Sequence, residues 1–183
     1  MSTKRKSVIK LIVVVLLVAA AITLLIRHFH INDFAVIEPG VLYTSGQPRR
    51  MDYTRLLYRY HIATIVNIRQ RTEHIYENWH NEEIVWTRNN GVHYIEMPIE
   101  KESFIPDEKV QNDFLSIMAD KNNLPVLLHG GNDDKRVAML VAVWLQKSEG
   151  KSNSDIVKSV KKIIDDRELT KQEIDFINQI SRK

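Results

Sequence analysis

The sequence predicts an α/β domain, a small and mostly parallel sheet flanked by helices, behind a single apolar N-terminal helix. Three observations predict it. Short β-branched runs such as 63–68 alternate with stretches of helical spacing such as 51–60. Two capping boxes, Ser152 with Asp155 and Thr170 with Glu173, mark helix starts near the C-terminus. One uncharged run, residues 11–26, precedes everything else, with Thr23 its only polar residue.

That run is apolar on every side, which excludes an ordinary amphipathic core helix. With Val8 and Ile9 it makes 19 positions, interrupted by Lys10, whose long stem can carry its amine to the headgroups. That length sits at the short end of the ~17–25 residues needed to span a bilayer. The sequence therefore divides into a basic N-terminus at 1–10, a transmembrane anchor at 11–27 and a folded domain at 28–183. Ala19, Ala20 and Ala21 offer a cleavage site for a signal peptide, but Ile22 to Ile26 remain apolar beyond it, which favours a retained anchor. Lys4, Arg5, Lys6 and Lys10 precede the run and only Arg27 follows it closely. The positive-inside rule then places the N-terminus in the cytoplasm and the domain outside it, on the periplasmic side if the source is bacterial.

The formal charge of +3 is misleading until it is located. The first 27 residues hold five basic and no acidic groups, leaving 21 basic against 23 acidic residues in the rest. The folded part is thus slightly acidic, and no nucleic acid is expected as a partner. The chain has no cysteine, which excludes disulfides, thiolate metal sites and a cysteine nucleophile.

Within the folded part, Leu42 and Tyr43 begin an extended segment that turns at Gly46, Gln47 and Pro48. A helix is expected over 51–60, a buried strand over 63–68, and a second helix over 79–86 closed by Asn89, Asn90 and Gly91. Residues 92–95 read as a short strand. Pro106 opens a helix with Asp107 and Glu108 in its first turn. Residues 125–128 form a short apolar strand, and 137–145 a buried helix.

Between that strand and that helix lies the candidate site: His129, Gly130, Gly131, Asn132, Asp133, Asp134, Lys135 and Arg136. A strand that feeds a small-residue loop and then a helix turns backbone N–H groups inward, where they favour an anion. Arg136 at the helix start would add a bidentate guanidinium, unless Asp133, Asp134 or a distant acid occupies it as an ion pair. The ion pair is the preferred reading, because two acids stand within three residues.

The loop resembles the phosphate loop of dual-specificity and tyrosine protein phosphatases, in which His-Cys, five residues and Arg are followed by Ser or Thr and Gly. His129 and Arg136 fall on that pattern. Segment 33–48, through Pro39, Gly40, Tyr43 and Gly46, resembles the opening of bacterial members, and segment 62–69 resembles the strand that follows. The likeness runs from about Phe34 to Leu145 and implies the phosphatase-like fold.

Four departures accompany it. Gly130 stands at the nucleophile position, Val137 replaces the hydroxyl residue, Ala138 replaces glycine, and Asp133 takes a loop position that is normally glycine. Since a thiolate must attack phosphorus in that chemistry, the resemblance implies an inactive pseudophosphatase. It would bind an anionic or phosphorylated group, or a protein partner, at the membrane. A divergent phosphatase or phosphoesterase with another nucleophile, and a purely structural scaffold, stand as alternatives. The segment matching the general-acid loop holds Glu100 and Glu102, read here as solvated. His129 is expected to support the loop, and Arg69 to border the pocket. His74, His80 and His93 lack metal-site spacing, so neither a metal nor another cofactor is expected.

Overall fold

Packing of β-branched strands against one long buried helix organises residues 31–181. In the computed structural model, which describes residues 3–29, 31–131 and 134–181, the chain divides into two units, 1–30 and 31–183. The first contains helix α1 (Thr3–Phe29). Its side chains are described at 9–23 and 25, and those of Leu11, Leu16 and Leu17 are about two-thirds exposed. Among the described residues no helix is long and apolar enough to cross a membrane. The continuous described stretch, 9–23, would rise only about 22 Å as a helix, so the expected anchor at 11–27 is not established by the structure.

The second unit follows the order β1 (Ala35–Glu38), β2 (Leu42–Ser45), α2 (Arg50–Tyr58), β3 (Thr64–Asn67), α3 (Asn78–Asn90), β4 (His93–Glu96), α4 (Glu108–Ala119), β5 (Val126–His129), α5 (Lys135–Lys147), α6 (Asn153–Ile163) and α7 (Lys171–Ile180). The five strands form one sheet in the order β1-β2-β5-β3-β4. Every pair is parallel except β1 with β2. The edge strand β1 was not expected, since its Ala-Val-Ile-Glu stretch is too short to read as alternating.

Strands β2, β3 and β5 are buried throughout, as a parallel sheet covered on both faces requires. Successive side chains point to opposite faces. Leu42, Val66, Val126 and Leu128 meet α4, α5, α6 and α7 on one side. Tyr43, Ile65 and Leu127 meet Tyr53 and Leu56 of α2, with Trp86 of α3 beside them, on the other. In α5 every residue from Arg136 to Leu145 is buried, which explains its nearly unbroken apolar sequence.

Helix ends follow the expected chemistry. Ser152 and Thr170 cap α6 and α7, and Gly91 closes α3 at φ +67°, a left-handed conformation that glycine adopts without steric penalty. Asp107 differs from expectation. It is the N-cap of α4, accepting from Val110 N–H at 2.8 Å, rather than a first-turn residue.

The register places Ser45, His129, Asn67 and Glu96 side by side at the C-terminal rim of the sheet. Ligands of parallel α/β sheets collect at this rim. The candidate loop springs from it.

Candidate functional site: a loop closed on its own arginine

Helix α5 begins at Lys135, so Arg136 sits in its first turn with Asp134 as N-cap. The Arg136 side chain is 3% exposed. A buried guanidinium needs both counter-charge and acceptors. It finds them inside the protein.

Arg136 Nε donates to Asp134 Oδ1 at 2.9 Å and Nη2 to Asp134 Oδ2 at 2.7 Å, a bidentate fork. Nη1 and Nη2 donate to Glu73 Oε1 and Oε2 at 2.6 and 2.9 Å, a second fork. Nη1 also donates to the Ile99 carbonyl at 3.0 Å. A guanidinium has five N–H groups. All five are thereby engaged.

The Asp134 carboxylate occupies the place where the loop would hold an anion. Besides the guanidinium it accepts from Gly131 N–H at 2.8 Å and from Arg136 N–H at 3.0 Å. These are the inward-turned amide and the helix N-terminus that the sequence offers to an anion, and a side chain two residues from the arginine has taken them. Of the two arrangements the sequence left open, an ion pair or a free arginine, the structure has the ion pair.

Gly130 belongs to the same arrangement. A Cβ built on it would lie 2.3 Å from Asp134 Oδ2 and 2.7 Å from its carboxyl carbon. The backbone there does not require glycine, because its φ is not left-handed. What requires it is the carboxylate. Any side chain at 130 and this position of Asp134 exclude one another.

Glu73 was not foreseen in the sequence. It closes a 3-10 turn, Arg71–Glu73, whose Gln70 N–H donates to Glu73 Oε1 at 2.8 Å. Burial alone would raise its pKa, but the hydrogen bonds from Arg136 and Gln70 and the charges of Arg136 and Arg69 outweigh it, holding the carboxyl below its ordinary range. Arg69 does border the site. Its Nη2 donates to the Glu73 carbonyl at 2.9 Å, and its guanidinium lies 4.7 Å from the centroid of the Trp79 ring.

His129 was expected to support the loop through hydrogen bonds, but its ring faces instead a partner that the sequence does not advertise. Its Nε2 lies 3.3 Å from Glu83 Oε1, with both side chains fully buried. Neither ring nitrogen has a well-directed hydrogen-bond partner. Tyr53 Oη donates to the same Glu83 oxygen at 3.0 Å. Burial would raise the Glu83 pKa, yet the His129 charge and the hydrogen bonds it receives hold it low. Burial and the Glu83 charge push the Tyr53 phenol well above its ordinary range. Glu83 lies on a helix of mixed polarity, where one buried carboxylate leaves no periodic signal.

Asn132 and Asp133 lie outside the described residues. Lys135 sits 5.2 Å from the Phe104 ring centroid, a cation–π contact from the loop to the segment that resembles the general-acid loop. Glu100 and Glu102 on that segment are exposed, as expected. His93 is exposed and apart from the others, but His74, His80 and Glu96 hold ligand-type atoms within 4.8 Å of one another, contrary to the expectation drawn from spacing.

Comparison with known proteins places this geometry in context. A family model described as a DSP-PTPase phosphatase fused to NAD+ kinase matches residues 37–179. Among solved structures, the core catalytic domain of the PP-IP phosphatase SIW14 from S. cerevisiae, in complex with citrate, has 17% identity and a TM-score of 0.67. The match covers 82% of this chain and 90% of that one. Tk-PTP in its active form has 16% identity and a TM-score of 0.62, covering 82% and 97%. PTPMT1 in complex with PI(5)P has 12% identity and a TM-score of 0.62, covering 82% and 96%. At these identities the likeness is one of fold.

The Glu73 clamp makes an acid-sensitive contribution to stability. A carboxyl whose folded pKa lies below its unfolded value stabilises the fold above the unfolded pKa, and that stability is lost as pH falls through the folded value. Urea midpoints measured from pH 7 downward should therefore drop below about pH 5, and Glu73→Gln should flatten that decline while lowering the midpoint at pH 7. A variant whose acid limb matches the wild type would show that the clamp is not formed.

Proposed function

Because the chain belongs to the DSP-PTPase phosphatase family whose model describes a domain fused to NAD+ kinase, we propose that it is a membrane-anchored pseudophosphatase. Its domain binds a protein partner, and its phosphate loop is closed by an internal carboxylate. The observation that carries this reading is the saturation of all five Arg136 N–H groups by Asp134, Glu73 and Ile99.

Two physical obstacles stand against phosphatase turnover by the family's route. Gly130 has no atom to attack phosphorus. A phosphate dianion would also have to displace Asp134 and enter beside Glu73, so that it meets two carboxylates for one guanidinium. The Asp134 carboxylate, tethered two residues away, competes at a local concentration of at least about 1 mM without losing translational freedom. The closed loop therefore disfavours anion binding.

The anchor rests on α1. Leu24 and Ile26 extend the uncharged sequence to Ile26, beyond the stretch whose side chains are described. The uncharged run 11–26 would rise about 24 Å as a helix, and apolar side chains on all its sides are unfavourable in water. The flanking charges orient the N-terminus to the cytoplasm and the domain to the outer side of that membrane.

Two experiments test these parts separately. Full-length protein should give no p-nitrophenyl phosphate turnover and a melting temperature unchanged within about 1 °C by tungstate. Asp134→Ala should melt lower without ligand, yet gain several degrees at tungstate near 100 times Kd, where binding adds about 2.7 kcal/mol. A tungstate shift in the wild type would refute the closed loop, and p-nitrophenyl phosphate turnover by it would refute the pseudophosphatase. For the anchor, alkaline carbonate washing of membranes should leave the full-length chain in the pellet. Its release into the supernatant would refute a spanning α1.

A further inference from the structure

We propose that His74, His80 and Glu96 form a binding site for a divalent transition metal, with zinc as the ion best matched to the donor set. The inference is independent of the closed phosphate loop. It rests on three side chains brought together from separate elements.

His74 follows the 3-10 turn that carries Glu73, His80 lies in the first turn of α3, and Glu96 ends β4 at the sheet's rim. Each offers one ligand-type atom, and these atoms all lie within 4.8 Å of one another. His80 Nε2 and Glu96 Oε1 are already 2.6 Å apart. The His74 and His80 rings stack at 3.9 Å with an interplanar angle of 13°, and both meet Trp79 edge-on.

His74 supplies the observation that points to a ligand. Its residue is 6% exposed and its Nδ1 is buried without a hydrogen-bond partner. Buried polar atoms are ordinarily satisfied, and a metal ion would use such a nitrogen. Two imidazoles and one carboxylate make the N2O set found in zinc sites that keep a position open. Imidazole is a borderline-soft ligand that suits zinc, copper and nickel better than magnesium or calcium. Glu96 has a side chain 49% exposed, which leaves the open position facing solvent.

Tetrahedral zinc with ligand distances near 2.0–2.1 Å holds its donors about 3.3 Å apart. Binding must therefore part His80 Nε2 from Glu96 Oε1, now 2.6 Å apart, and it must unstack the imidazoles, because in-plane lone pairs of parallel rings do not converge. His80 and Glu96 are partly and largely solvent-facing, so the movement falls on them while buried His74 stays. Since His74 directly follows Glu73, a bound ion would also pin the turn that presents Glu73 to Arg136.

The test uses full-length protein in detergent, purified without a polyhistidine tag and stripped with a chelator. Titration with Co2+ should develop the visible bands of a tetrahedral site at one ion per chain, and Zn2+ should abolish them. Zn2+ competition against a chromophoric chelator should give a Kd that weakens about tenfold or more in both His80→Ala and Glu96→Gln. His93→Ala should match the wild type. Circular dichroism of all variants should be unchanged, since the two altered ligands are not buried. Absence of stoichiometric Co2+ or Zn2+ binding, or wild-type affinity in either ligand variant, would overturn the site and leave His80 and Glu96 as an ordinary surface ion pair.

Discussion

Arg136 is a buried cation held between two carboxylates, and the arrangement of the loop depends on how that charge is met. A guanidinium at this depth must be neutralised and must have its N–H groups accepted, because water is not there to do it. Asp134 and Glu73 do both. Asp134 also caps α5, the helix around which the larger half of the core is packed. Closure of the loop and the start of the central helix are thus made by one carboxylate.

The same contact accounts for the residue at 130. A catalyst of this fold needs a side chain there, and the Asp134 carboxylate needs its absence. Loss of the nucleophile and filling of the anion seat are therefore two aspects of one steric choice. Behind the loop, the His129–Glu83 pair and Tyr53 support the end of β5 from the opposite layer. The seat on the Gly131 amide and the Arg136 guanidinium, where a ligand of an α/β sheet would settle, is occupied from within.

Much of the fold was legible because its signals are local. The β-branched strands, the Gly91 terminator and the caps at Ser152 and Thr170 each act within a few residues, and each reads directly from the chain. The loop was legible from His129 and Arg136 for the same reason, as was the proximity of Asp134 to the arginine. Glu73, Glu83 and Tyr53 were not. They reach the site from 63, 46 and 76 residues away along the chain, and each is a single polar residue whose burial is decided only when the sheet assembles. The grouping of His74, His80 and Glu96 was hidden likewise, since it arises from the parallel pairing of β3 with β4. Edge strand β1 escaped notice because four residues cannot establish a period.

What separates a self-filled cradle from a vacant one is the occupant of the space above Gly131 N–H. Crystals of the wild-type protein soaked in tungstate would show it directly, since tungsten scatters strongly. The account predicts the Asp134 carboxylate on Gly131 and Arg136, with no tungsten density there. Tungstate bound between the Gly131 amide and the Arg136 guanidinium, with Asp134 turned out to solvent, would contradict it.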